Sequence, residues 1–423
     1  MILPSIDLQG GHAVQLVGGE RLELDAGDPR PLARRFGRAG EVAVVDLDAA
    51  LGHGDNRAVI EELLALAPAR VGGGIRDVES ARAWLDRGAT RVVLGTAATP
   101  QVLRELPRER VVAALDARDG EVVVEGWRTG TGRGVAERMA ELAPYVSGFL
   151  VTVVEREGRL GGVDLDLAGA LREAAGDREL VYAGGVTSVD DVAALDRLGI
   201  DAQVGMALYK GQLGLAEAFA APLTSDRPDG LWPTVVVDEG GRALGLAYSD
   251  LASLEVALTR GVGAYRSRKR GLWVKGESSG ATQELLRVEV DCDRDALRFV
   301  VRQAGEGFCH RGTHDCFGLG DARGLAALER TLRSRQRSAP PGSYSARLFA
   351  DRDLLAAKLR EEARELAEAE TPRHTAEEAA DLLFFTLTKL RAAGVDLAEV
   401  ERVLDGRARR VTRRPGDAKP EEL

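Results

Sequence analysis

The stretch GGIRDVESARAWLDRGATRVVLG, residues 73 to 95, decides the fold because it recurs later in the chain. GGVTSVDDVAALDRLGIDAQVG, residues 184 to 205, repeats it with one residue deleted near the end. A second pair, IDLQGG at Ile6 and LDARDG at Leu115, repeats at a similar offset. Self-similarity at 109 to 111 residues indicates two halves of one fold that face each other across an axis.

Eight apolar runs that end in small or acidic residues fill the first half of the chain. They are MILPSID, VAVVDLD, RVGGGI, RVVLGT, VVAALD, GFLVTV, LVYAGGV and AQVGMAL, and helical patterns separate most of them. Continuous apolar runs are typical of buried parallel strands, so the pattern predicts a (β/α)8 TIM barrel over residues 1–221. A doubly wound parallel sheet is the alternative.

Glycine-rich loops follow four of these runs, and their bare backbone NH groups are suited to binding phosphate. Their symmetry predicts two phosphate sites and hence a ligand with two phosphates. The candidate binding residues are Gly74, Arg76, Gly95, Thr96, Gly184, Gly185 and Gly205. The same symmetry places Asp7 opposite Asp116, as a general acid and base pair. The alternative is that the glycines only turn the chain and the aspartates cap helices.

Length and charge limit the classes of protein to consider. A chain of 423 residues indicates two or three domains, because single cores seldom grow beyond roughly 250 to 300 residues. The net charge of −10 argues against nucleic-acid binding, which relies on Lys and Arg clusters. No apolar run is long enough to span a membrane, and MILPSIDLQGG lacks the features of a secretory signal. We expect a cytoplasmic protein with small-molecule ligands, no nucleic acid and no membrane.

Residues 222–332 change character, with short strand-like runs, glycine turns and one clear helix, DLASLEVALTRG. This pattern predicts a compact α+β domain. All three cysteines of the chain lie within 25 residues here: Cys292, Cys309 and Cys316. Three thiolates with an open fourth position suit a catalytic zinc site. Three small buried hydrophobes and a structural zinc site in a binding protein are the alternatives.

Three aspartates alternate around the first cysteine: Asp291, Asp293 and Asp295. The two-residue period of a strand would place all three carboxylates on one face, with Cys292 on the other. Hard oxygen ligands beside soft sulfur suggest two metals, Mg²⁺ on the aspartates and Zn²⁺ on the thiolates.

Residues 333–423 follow a second linker, SAPPGS, and read as helix throughout. Glu361, Glu362 and Glu365 share one helix face, and Glu378 and Asp381 repeat the arrangement on the next helix. Acidic residues on helices are often only solvated, and that alternative stays open. The second pair precedes the apolar LLFF, so we expect an inward-facing cluster that needs a cation, a magnesium site for pyrophosphate.

The barrel motifs PSIDLQGG, VVDLDAALG, VGGGIRD, LDARDGEVVVEGW, AGGV and GMALYKG resemble those of ProFAR isomerase of histidine biosynthesis. The resemblance implies an Amadori rearrangement of an aminoaldose to an aminoketose. It implies Asp7 as general base and Asp116 as general acid, with Thr152 and Trp127 at the substrate.

Two positions depart from that family. Val153 stands where an acidic or polar residue is usual, and Glu157 replaces the usual aspartate of an Asp-Gly pair. A longer carboxylate changes how a substrate is positioned, and small misplacements are costly in rate. A catalytically silent barrel is therefore the alternative to an active isomerase.

YRSRKRGLWVKGESSGATQ, DCDRDALRF and CHRGTHDCFG resemble phosphoribosyl-AMP cyclohydrolase. The resemblance implies that zinc-activated water opens the adenine ring, with the three cysteines as zinc ligands and the three aspartates as magnesium ligands. It also implies an obligatory homodimer, because in that family the zinc site forms between two subunits. His310 is the candidate for proton transfer, with His314 as a second choice. The candidates for holding phosphate are Arg266, Arg268, Lys275 and Ser279.

The helical region, with SYSARLF, KLREEARELAEA, EAADLLFFTLTKL and RRPGDAK, resembles phosphoribosyl-ATP pyrophosphohydrolase. The resemblance implies that Mg²⁺ on the five carboxylates positions the triphosphate and activates water, and we assign Glu362 and Glu365 a catalytic role as well. The three resemblances name consecutive reactions, from phosphoribosyl-ATP through ProFAR to its aminoketose. A bifunctional hydrolase with a silent barrel is the alternative.

Overall fold

The computed structural model describes residues 1–124, 126–127, 129–267, 269–305, 307–317 and 324–413. The chain forms two compact units. One is built from Met1–His314 together with the segment from Arg409 onward, and the other from Asp315–Ala408.

Twelve strands belong to the N-terminal region. They are β1 (Ile2–Gln9), β2 (His12–Val17), β3 (Arg21–Gly27), β4 (Val42–Asp46), β5 (Ala69–Gly72), β6 (Val92–Leu94), β7 (Val111–Arg118), β8 (Glu121–Val124), β9 (Thr129–Gly134), β10 (Gly148–Val153), β11 (Glu179–Ala183) and β12 (Asp201–Val204).

Eight of these strands close into a parallel barrel. Strands β1, β4, β5, β6, β7, β10, β11 and β12 pair in that order, and β12 pairs back onto β1 with Ile2 opposite Ala202. The remaining four form antiparallel extensions, with β2 and β3 following β1 and β8 and β9 following β7. The predicted (β/α)8 barrel is therefore confirmed, and the doubly wound sheet is excluded by the closure.

Ten helices accompany the barrel strands. They are α1 (Arg30–Gly37), α2 (Leu47–Leu51), α3 (Arg57–Leu66), α4 (Val78–Asp86), α5 (Pro100–Leu103), α6 (Val135–Leu142), α7 (Leu165–Ala175), α8 (Val189–Arg197), α9 (Met206–Tyr209) and α10 (Leu215–Ala220), with 3-10 turns at Arg108–Arg110, Ala143–Tyr145 and Val154–Arg156. The two copies of the repeat start their helices in the same way. Asp77 caps α4 and Ser188 caps α8, each with a reciprocal bond from the third helical residue.

Side chains that point into the barrel form layers. The middle layer is apolar and comprises Leu3, Ala43, Val112, Leu150, Val181 and Ala183. At the end of the barrel where the strands begin, Arg70 of β5 forms ion pairs with Glu41 and with Glu179 of β11. Arg91 also pairs with Glu179. Arg70 is 4% exposed, so these carboxylates are needed to offset the loss of hydration of its guanidinium.

The middle region has a four-stranded sheet and a two-stranded hairpin. Its elements are β13 (Trp232–Val237), β14 (Ala243–Ser249), α11 (Leu251–Arg260), β15 (Ala264–Ser267), β16 (Gly271–Val274), β17 (Gln283–Val290) and β18 (Leu297–Gln303). The sheet order is β14-β13-β18-β17, in which only β13 and β18 run parallel, and β15 pairs with β16. This is the α+β fold that the sequence predicts.

Arg38, directly after α1, joins the barrel to this α+β region. Its Nη1 donates a hydrogen bond to the Leu258 carbonyl at 3.0 Å, near the carboxyl end of α11. The amide of Val288 in turn donates to the Arg38 carbonyl at 2.8 Å. A cationic side chain at a helix carboxyl end satisfies its last carbonyls and is favoured by the helix dipole.

The second compact unit is helical. It contains α12 (Leu325–Arg337), α13 (Tyr344–Ala350), α14 (Arg352–Glu368), α15 (Pro372–Ala392) and α16 (Leu397–Arg409). Its buried apolar cluster is small and comprises Leu348, Leu355 and Phe385. The division that the sequence suggests between residues 332 and 333 falls inside α12. In the described parts of both units, we find no helix with the length and apolar character that crossing a bilayer requires.

Replacing Gly73 with alanine should destabilise the protein more than replacing Gly88. Both glycines have positive φ, +90° and +108°, so each alanine brings similar backbone strain. A Cβ on Gly73 would lie 2.3 Å from the Asp46 carbonyl oxygen, whereas nothing lies within 4 Å of one on Gly88. We expect Gly73→Ala to lower the free energy of unfolding by about 1–3 kcal/mol more than Gly88→Ala in urea denaturation. Equal losses would contradict the packing assigned to Gly73.

Candidate active sites

Asp7 and Asp116 lie on opposite walls of the barrel, near the carboxyl ends of its strands. Asp7 is on β1, the first barrel strand, and Asp116 is on β7, the fifth. Both side chains are half-buried. Burial raises the pKa of Asp7 to about 7, within the range useful for proton transfer near neutral pH.

Asp116 is held by two hydrogen-bond donors. The Thr152 hydroxyl and the Trp127 indole both donate to its carboxylate, and Thr152 lies directly opposite it on the neighbouring strand β10. Burial raises the pKa of Asp116, and the two hydrogen bonds oppose that increase. Trp127 itself has a φ of +68°, and its ring packs against Gly19 of the β2–β3 turn. Both residues that the sequence assigns to the substrate thus contact the candidate acid.

Glu157 adds a third carboxylate at the same mouth of the barrel. Burial raises its pKa to about 7, with further contributions from the charges of Asp7 and Asp116. The sequence singles out this residue only as a departure from the family pattern and does not place it beside the two aspartates. Its backbone carbonyl accepts a hydrogen bond from the Gly18 amide at 3.3 Å, so the turn after β2 holds the Glu157 loop in place.

Val153, the other departure, faces away from the site. It is 6% exposed and packs in the core outside the barrel lumen. The alternation of side chains along β10 explains this, since Leu150 and Thr152 point inward and Val153 therefore points outward. This substitution leaves the substrate side of the barrel unchanged.

The glycine loops combine structural and open positions. Gly74, Gly184 and Gly185 have positive φ. A Cβ on Gly74 would clash with Ala49 of helix α2, one on Gly184 with Val153 at the end of β10, and one on Gly185 with the Gly162 carbonyl. Gly95 and Thr96 are exposed, and a Cβ on Gly95 would meet nothing within 4 Å. The alternative that the glycines shape the chain thus accounts for part of the pattern, while Gly95 and Thr96 lie in open space and keep their place as phosphate candidates.

A cleft of about 420 Å³, including its open mouth, joins the ends of the seventh and eighth strands to Asp7 and Glu157. Its lining includes Asp7, Glu157, Gly184, Gly185, Gln203 and Gly205. The Oε1 of Gln203 is buried and has no hydrogen-bond partner within the described chain. Arg76 belongs to the first copy of the repeat, after β5. Its side chain is exposed and donates a hydrogen bond to the Ala49 carbonyl at 3.0 Å.

The three aspartates of the middle region converge, but they do so in a turn. Strand β17 ends at Val290, so the expectation that a strand face groups Asp291, Asp293 and Asp295 is wrong. The chain reverses at Arg294, whose φ is +67°, and the Asp291 carboxylate accepts hydrogen bonds from the amides of Asp295 and Ala296, both at 3.1 Å. These bonds form because the loop folds back on itself before β18.

Oxygen atoms of the three carboxylates lie within 4.8 Å of one another. Asp293 is the main cause of a raised pKa at Asp295, with burial and Asp291 contributing. Burial opposes ionisation of Asp291, but the hydrogen bonds from Ala296 and Asp295 outweigh it and lower the Asp291 pKa. Three converging oxygen donors fit a hard divalent cation such as Mg²⁺.

The cysteines are present as thiols, with Cys292 and Cys316 exposed and Cys309 partly exposed. The Cys309 sulfur lies 4.0 Å from Nδ1 of His310. In the described residues, the groups of three potential ligand atoms within 4.8 Å consist of carboxylates. The resemblance implies a zinc site built from two subunits. The assignment of the three cysteines as zinc ligands therefore stays a prediction.

The second histidine, His314, is tied to the sheet. Its Nε2 lies 3.2 Å from Oδ2 of Asp238, and its carbonyl accepts the Phe308 amide at 3.0 Å. Burial opposes ionisation of Asp238, but His314 and nearby amides lower the Asp238 pKa overall. This geometry positions the loop that carries Cys309 and His310, and leaves His310 as the residue next to the thiol.

The expected phosphate contacts of this region differ in accessibility. Arg266 is 41% exposed and pairs with Asp250 at 3.3 Å, and Ser279 is exposed. Lys275 is buried, and its Nζ donates to the carbonyls of Ala281 at 3.1 Å and Gly307 at 3.5 Å. Arg268 lies outside the described residues.

The helical unit brings its five predicted carboxylates together. Oxygen atoms of Glu361, Glu362 and Glu365 on α14 lie within 4.8 Å, and Glu362 forms a second such group with Glu378 and Asp381 on α15. Glu362, shared by both groups, is 4% exposed. Burial raises the pKa of Glu365, as do the charges of Glu378, Glu361 and Glu362.

Two cationic or titratable side chains lie at the edge of this cluster. Lys358 pairs with Glu362 at 2.7 Å and with Glu361 at 3.0 Å, and His374 lies 3.1 Å from Glu378. They balance only part of the negative charge. Glu362 is buried between the two helices, whereas the Glu361 side chain is 44% exposed and Asp381 is exposed. The grouped oxygens suit a divalent cation, and the magnesium site stays a prediction.

Opposed carboxylates at the carboxyl ends of strands in a closed parallel barrel define an acid–base site of the (β/α)8 class. Comparison with known families gives three matches along the chain. They are a histidine biosynthesis protein family over residues 1–214, phosphoribosyl-AMP cyclohydrolase over 245–318 and phosphoribosyl-ATP pyrophosphohydrolase over 325–408. The chain belongs to the histidine biosynthesis protein family.

Similar proteins carry related names. A histidine biosynthesis trifunctional protein of Neurospora crassa is 56% identical over 209 residues, which are 49% of this chain and 24% of that protein. A histidine biosynthesis bifunctional protein of Schizosaccharomyces pombe is 52% identical over 208 residues, 49% of each chain. An imidazole-4-carboxamide isomerase of Halobacterium salinarum is 45% identical over 235 residues, which cover 52% of this chain and 96% of that protein. The chain thus spans 24% of the length of the Neurospora crassa protein and 49% of the length of the Schizosaccharomyces pombe protein.

Asp7→Asn should stabilise the folded protein above neutral pH. The folded-state pKa of about 7 exceeds that of an unfolded aspartate, so the stability linked to this group is present at low pH and is lost as pH rises through 7. A tenfold change in acid dissociation corresponds to about 1.4 kcal/mol. After allowing for partial solvent contact, we expect a gain of about 1–3 kcal/mol at pH 8.5. About a third of that gain should already be present at pH 5, because an unfolded aspartate has a pKa of about 3.9 and has lost its proton there.

Thermal or urea unfolding at the two pH values measures this difference. Asp177→Asn, at a side chain that is 83% exposed, is the matched control and should change stability at neither pH. A pH-independent effect of Asp7→Asn would contradict the desolvation assigned to Asp7.

Proposed function

We propose that the chain performs three consecutive steps of histidine biosynthesis. It would hydrolyse phosphoribosyl-ATP to phosphoribosyl-AMP and pyrophosphate, open the adenine ring to give ProFAR, and isomerise ProFAR to the aminoketose. The observation that carries this proposal is the order of the three family matches, at 1–214, 245–318 and 325–408. The sequence-based boundary at 221/222 lies between α10 and β13 and is kept, whereas the one at 332/333 cuts α12, so we place the second boundary before that helix, at Leu325.

In the barrel, Asp7 would act as general base and Asp116 as general acid. Their positions on opposite walls leave the reacting part of the ligand between them, and the pKa of Asp7 near 7 suits proton removal at neutral pH. Hydrogen bonds from Trp127 and Thr152 orient the Asp116 carboxylate. Glu157 would add negative charge at the barrel mouth. Because Glu157, Asp7 and Asp116 repel one another when ionised, at least one of the three carboxylates would tend to carry a proton that can be transferred.

The two phosphates of ProFAR would bind at the two halves of the repeat. Gly95 and Thr96 offer exposed backbone groups on one side, with Gly74 and Arg76 next to them. Gly184, Gly185 and Gly205 line the cleft on the other side. Binding at both ends fixes the carbon skeleton relative to Asp7 and Asp116, and such orientation is a large part of catalysis.

In the middle region, Zn²⁺ would be held by Cys292, Cys309 and Cys316 and Mg²⁺ by the three aspartates. The bound zinc supplies an activated water for attack on the purine ring. His310, next to Cys309, would move the proton of that step. Arg266 and Ser279, together with Arg268, remain our candidates for direct phosphate contacts. The buried Lys275, also a candidate from the sequence, would instead support the site through the loop carbonyls to which it donates.

In the helical unit, Glu361, Glu362, Glu365, Glu378 and Asp381 would hold Mg²⁺. The bound cation neutralises the triphosphate and activates water. Glu362, buried between the two groups, would fix the spacing of the metal ligands, and Glu365, with its raised pKa, would accept the proton of the attacking water.

We further propose that the chain acts as a homodimer through the middle region, with zinc ligands from two subunits, and that it is cytoplasmic. The exposure of the thiols supports the first idea, because exposed side chains are accessible to a second subunit. Their reduced state supports the second, because thiols persist in reducing compartments.

The proposal is tested by supplying phosphoribosyl-ATP with Mg²⁺ and Zn²⁺ and identifying the species at which conversion stops. The aminoketose is the expected end product. Asp7→Asn should stop the sequence at ProFAR, because general acid–base groups contribute about 100- to 10,000-fold in rate. Conversion that ends at ProFAR in the wild type would favour the silent-barrel alternative.

Cys309→Ser should abolish ring opening and leave pyrophosphate release intact. The reason is that Cys309 and the helical carboxylates belong to different compact units. Phosphoribosyl-AMP should accumulate in equal amount to the pyrophosphate released, as measured by chromatography. Ring opening that persists in this variant without zinc would refute the zinc assignment.

The double substitution Glu378→Gln with Asp381→Asn should lower pyrophosphate release by about 100-fold or more, because it removes two of the ligands around Glu362. Conversion of supplied phosphoribosyl-AMP should be unchanged. Glu377→Gln, at an exposed carboxylate on the same helix, is the control and should behave as wild type. Full turnover of phosphoribosyl-ATP by the double variant would exclude the carboxylate site.

A further inference from the structure

The turn that carries Asp291, Asp293 and Asp295 is held from outside the middle region. Arg294, at its tip, forms an ion pair with Asp196 at the carboxyl end of barrel helix α8. The Arg294 carbonyl accepts a hydrogen bond from the amide of Thr224 at 2.9 Å, in the segment that links the barrel to the middle region. Both contacts come from residues that precede the part of the chain matched to the cyclohydrolase family.

The backbone at Arg294 requires such support. Its φ of +67° lies in the left-handed region, which is unfavourable for a residue with a Cβ. The turn keeps this conformation while the amides of Asp295 and Ala296 bond to the Asp291 carboxylate. Three carboxylates that converge without a cation also repel one another. Something must offset both costs if the turn is to have its binding shape before metal arrives.

The ion pair with the barrel is suited to that role. The Asp196 side chain is 9% exposed, and the Arg294 side chain is 34% exposed, so the pair is screened less by water than one at the surface. It adds a positive charge to an acidic turn and fixes that charge at a site on the barrel. The Thr224 hydrogen bond fixes the peptide of the same residue, so both the side chain and the backbone of Arg294 are held.

We propose that Asp196 and Arg294 form a positioning pair through which the barrel holds the aspartate turn in its metal-binding shape. This inference rests on the proposed function, since it takes the three aspartates as the Mg²⁺ ligands. Neither Asp196 nor Arg294 contacts the metal or the substrate in this proposal. The barrel thereby takes part in the ring-opening site as a support, independently of its own chemistry.

Amide hydrogen exchange of the full chain, read by mass spectrometry on peptides covering residues 291–303, tests the proposal. The amides of Asp295 and Ala296 report the shape of the turn directly, because they donate to Asp291. Arg294→Gln and Asp196→Asn should each raise by about 10-fold the Mg²⁺ concentration that gives half-maximal protection, as removal of outer supports of metal sites typically does. Arg294→Lys, which keeps the charge, should restore most of the wild-type response.

The double variant separates this pair from other contacts of Asp196. The Met1 amino group also lies 3.0 Å from Asp196, so Asp196→Asn removes more than one contact. If the pair acts as a unit, adding Asp196→Asn to Arg294→Gln should cause no further shift in the Mg²⁺ response. Additive shifts would overturn the proposal.

Matched controls are Asp190→Asn, at an exposed residue of the same helix, and Arg287→Gln, at an exposed arginine of β17. Both should respond to Mg²⁺ as wild type does. A wild-type response in Arg294→Gln would overturn the positioning role but leave the magnesium assignment standing. Absence of Mg²⁺ protection in the wild type would instead overturn that assignment, and the positioning role with it.

Discussion

The alternation of side chains along parallel strands is the constraint on which the barrel site depends. Each strand of a closed barrel has one set of side chains in the lumen and one set against the helices. Lumen positions carry ion pairs around Arg70 at one end, apolar residues such as Leu150 in the middle and the carboxylates Asp7 and Asp116 at the other end. The dry middle layer removes water from beneath the carboxylates, and this desolvation raises their pKa values.

The same alternation separates the two departures from the family pattern. Val153 lies one position beyond the inward-facing Thr152, so its apolar side chain joins the outer core and does not alter the lumen. Glu157 belongs to the loop that follows, where strand parity no longer applies, and the loop turns its carboxylate towards Asp7 and Asp116. Only one of the two substitutions therefore changes the chemistry of the site.

Regular patterns in the sequence predicted the parts of the structure that depend on regular backbone. Apolar runs gave the eight barrel strands, the repeat gave the opposition of Asp7 and Asp116, and helical spacing gave the cluster around Glu362. Irregular backbone was predicted less well. The aspartates around Cys292 converge through a turn rather than along a strand, because the positive φ of Arg294 ends the two-residue period.

Contacts between distant parts of the chain had no signal in the sequence. The position of Glu157 depends on the turn after β2, and the partner of Arg294 is on a barrel helix far earlier in the chain. Periodicity describes one element at a time and carries no information on which loops meet. The zinc ligands are a different case, since their assignment came from resemblance and concerns two subunits rather than one.

The ion pairs at the amino-terminal end of the lumen make the two halves of the repeat unequal. Arg70 and Arg91 belong to the first half and Glu179 to the second, whereas Glu41 keeps Arg70 paired within the first half. A separated second half would leave the half-buried Glu179 without either arginine, and a carboxylate that loses its ion-pair partners in such a place is destabilising. Two copies of the second half would therefore lack the ion pairs that the whole barrel has, even though the two halves are still similar in sequence. The halves have become complementary rather than interchangeable.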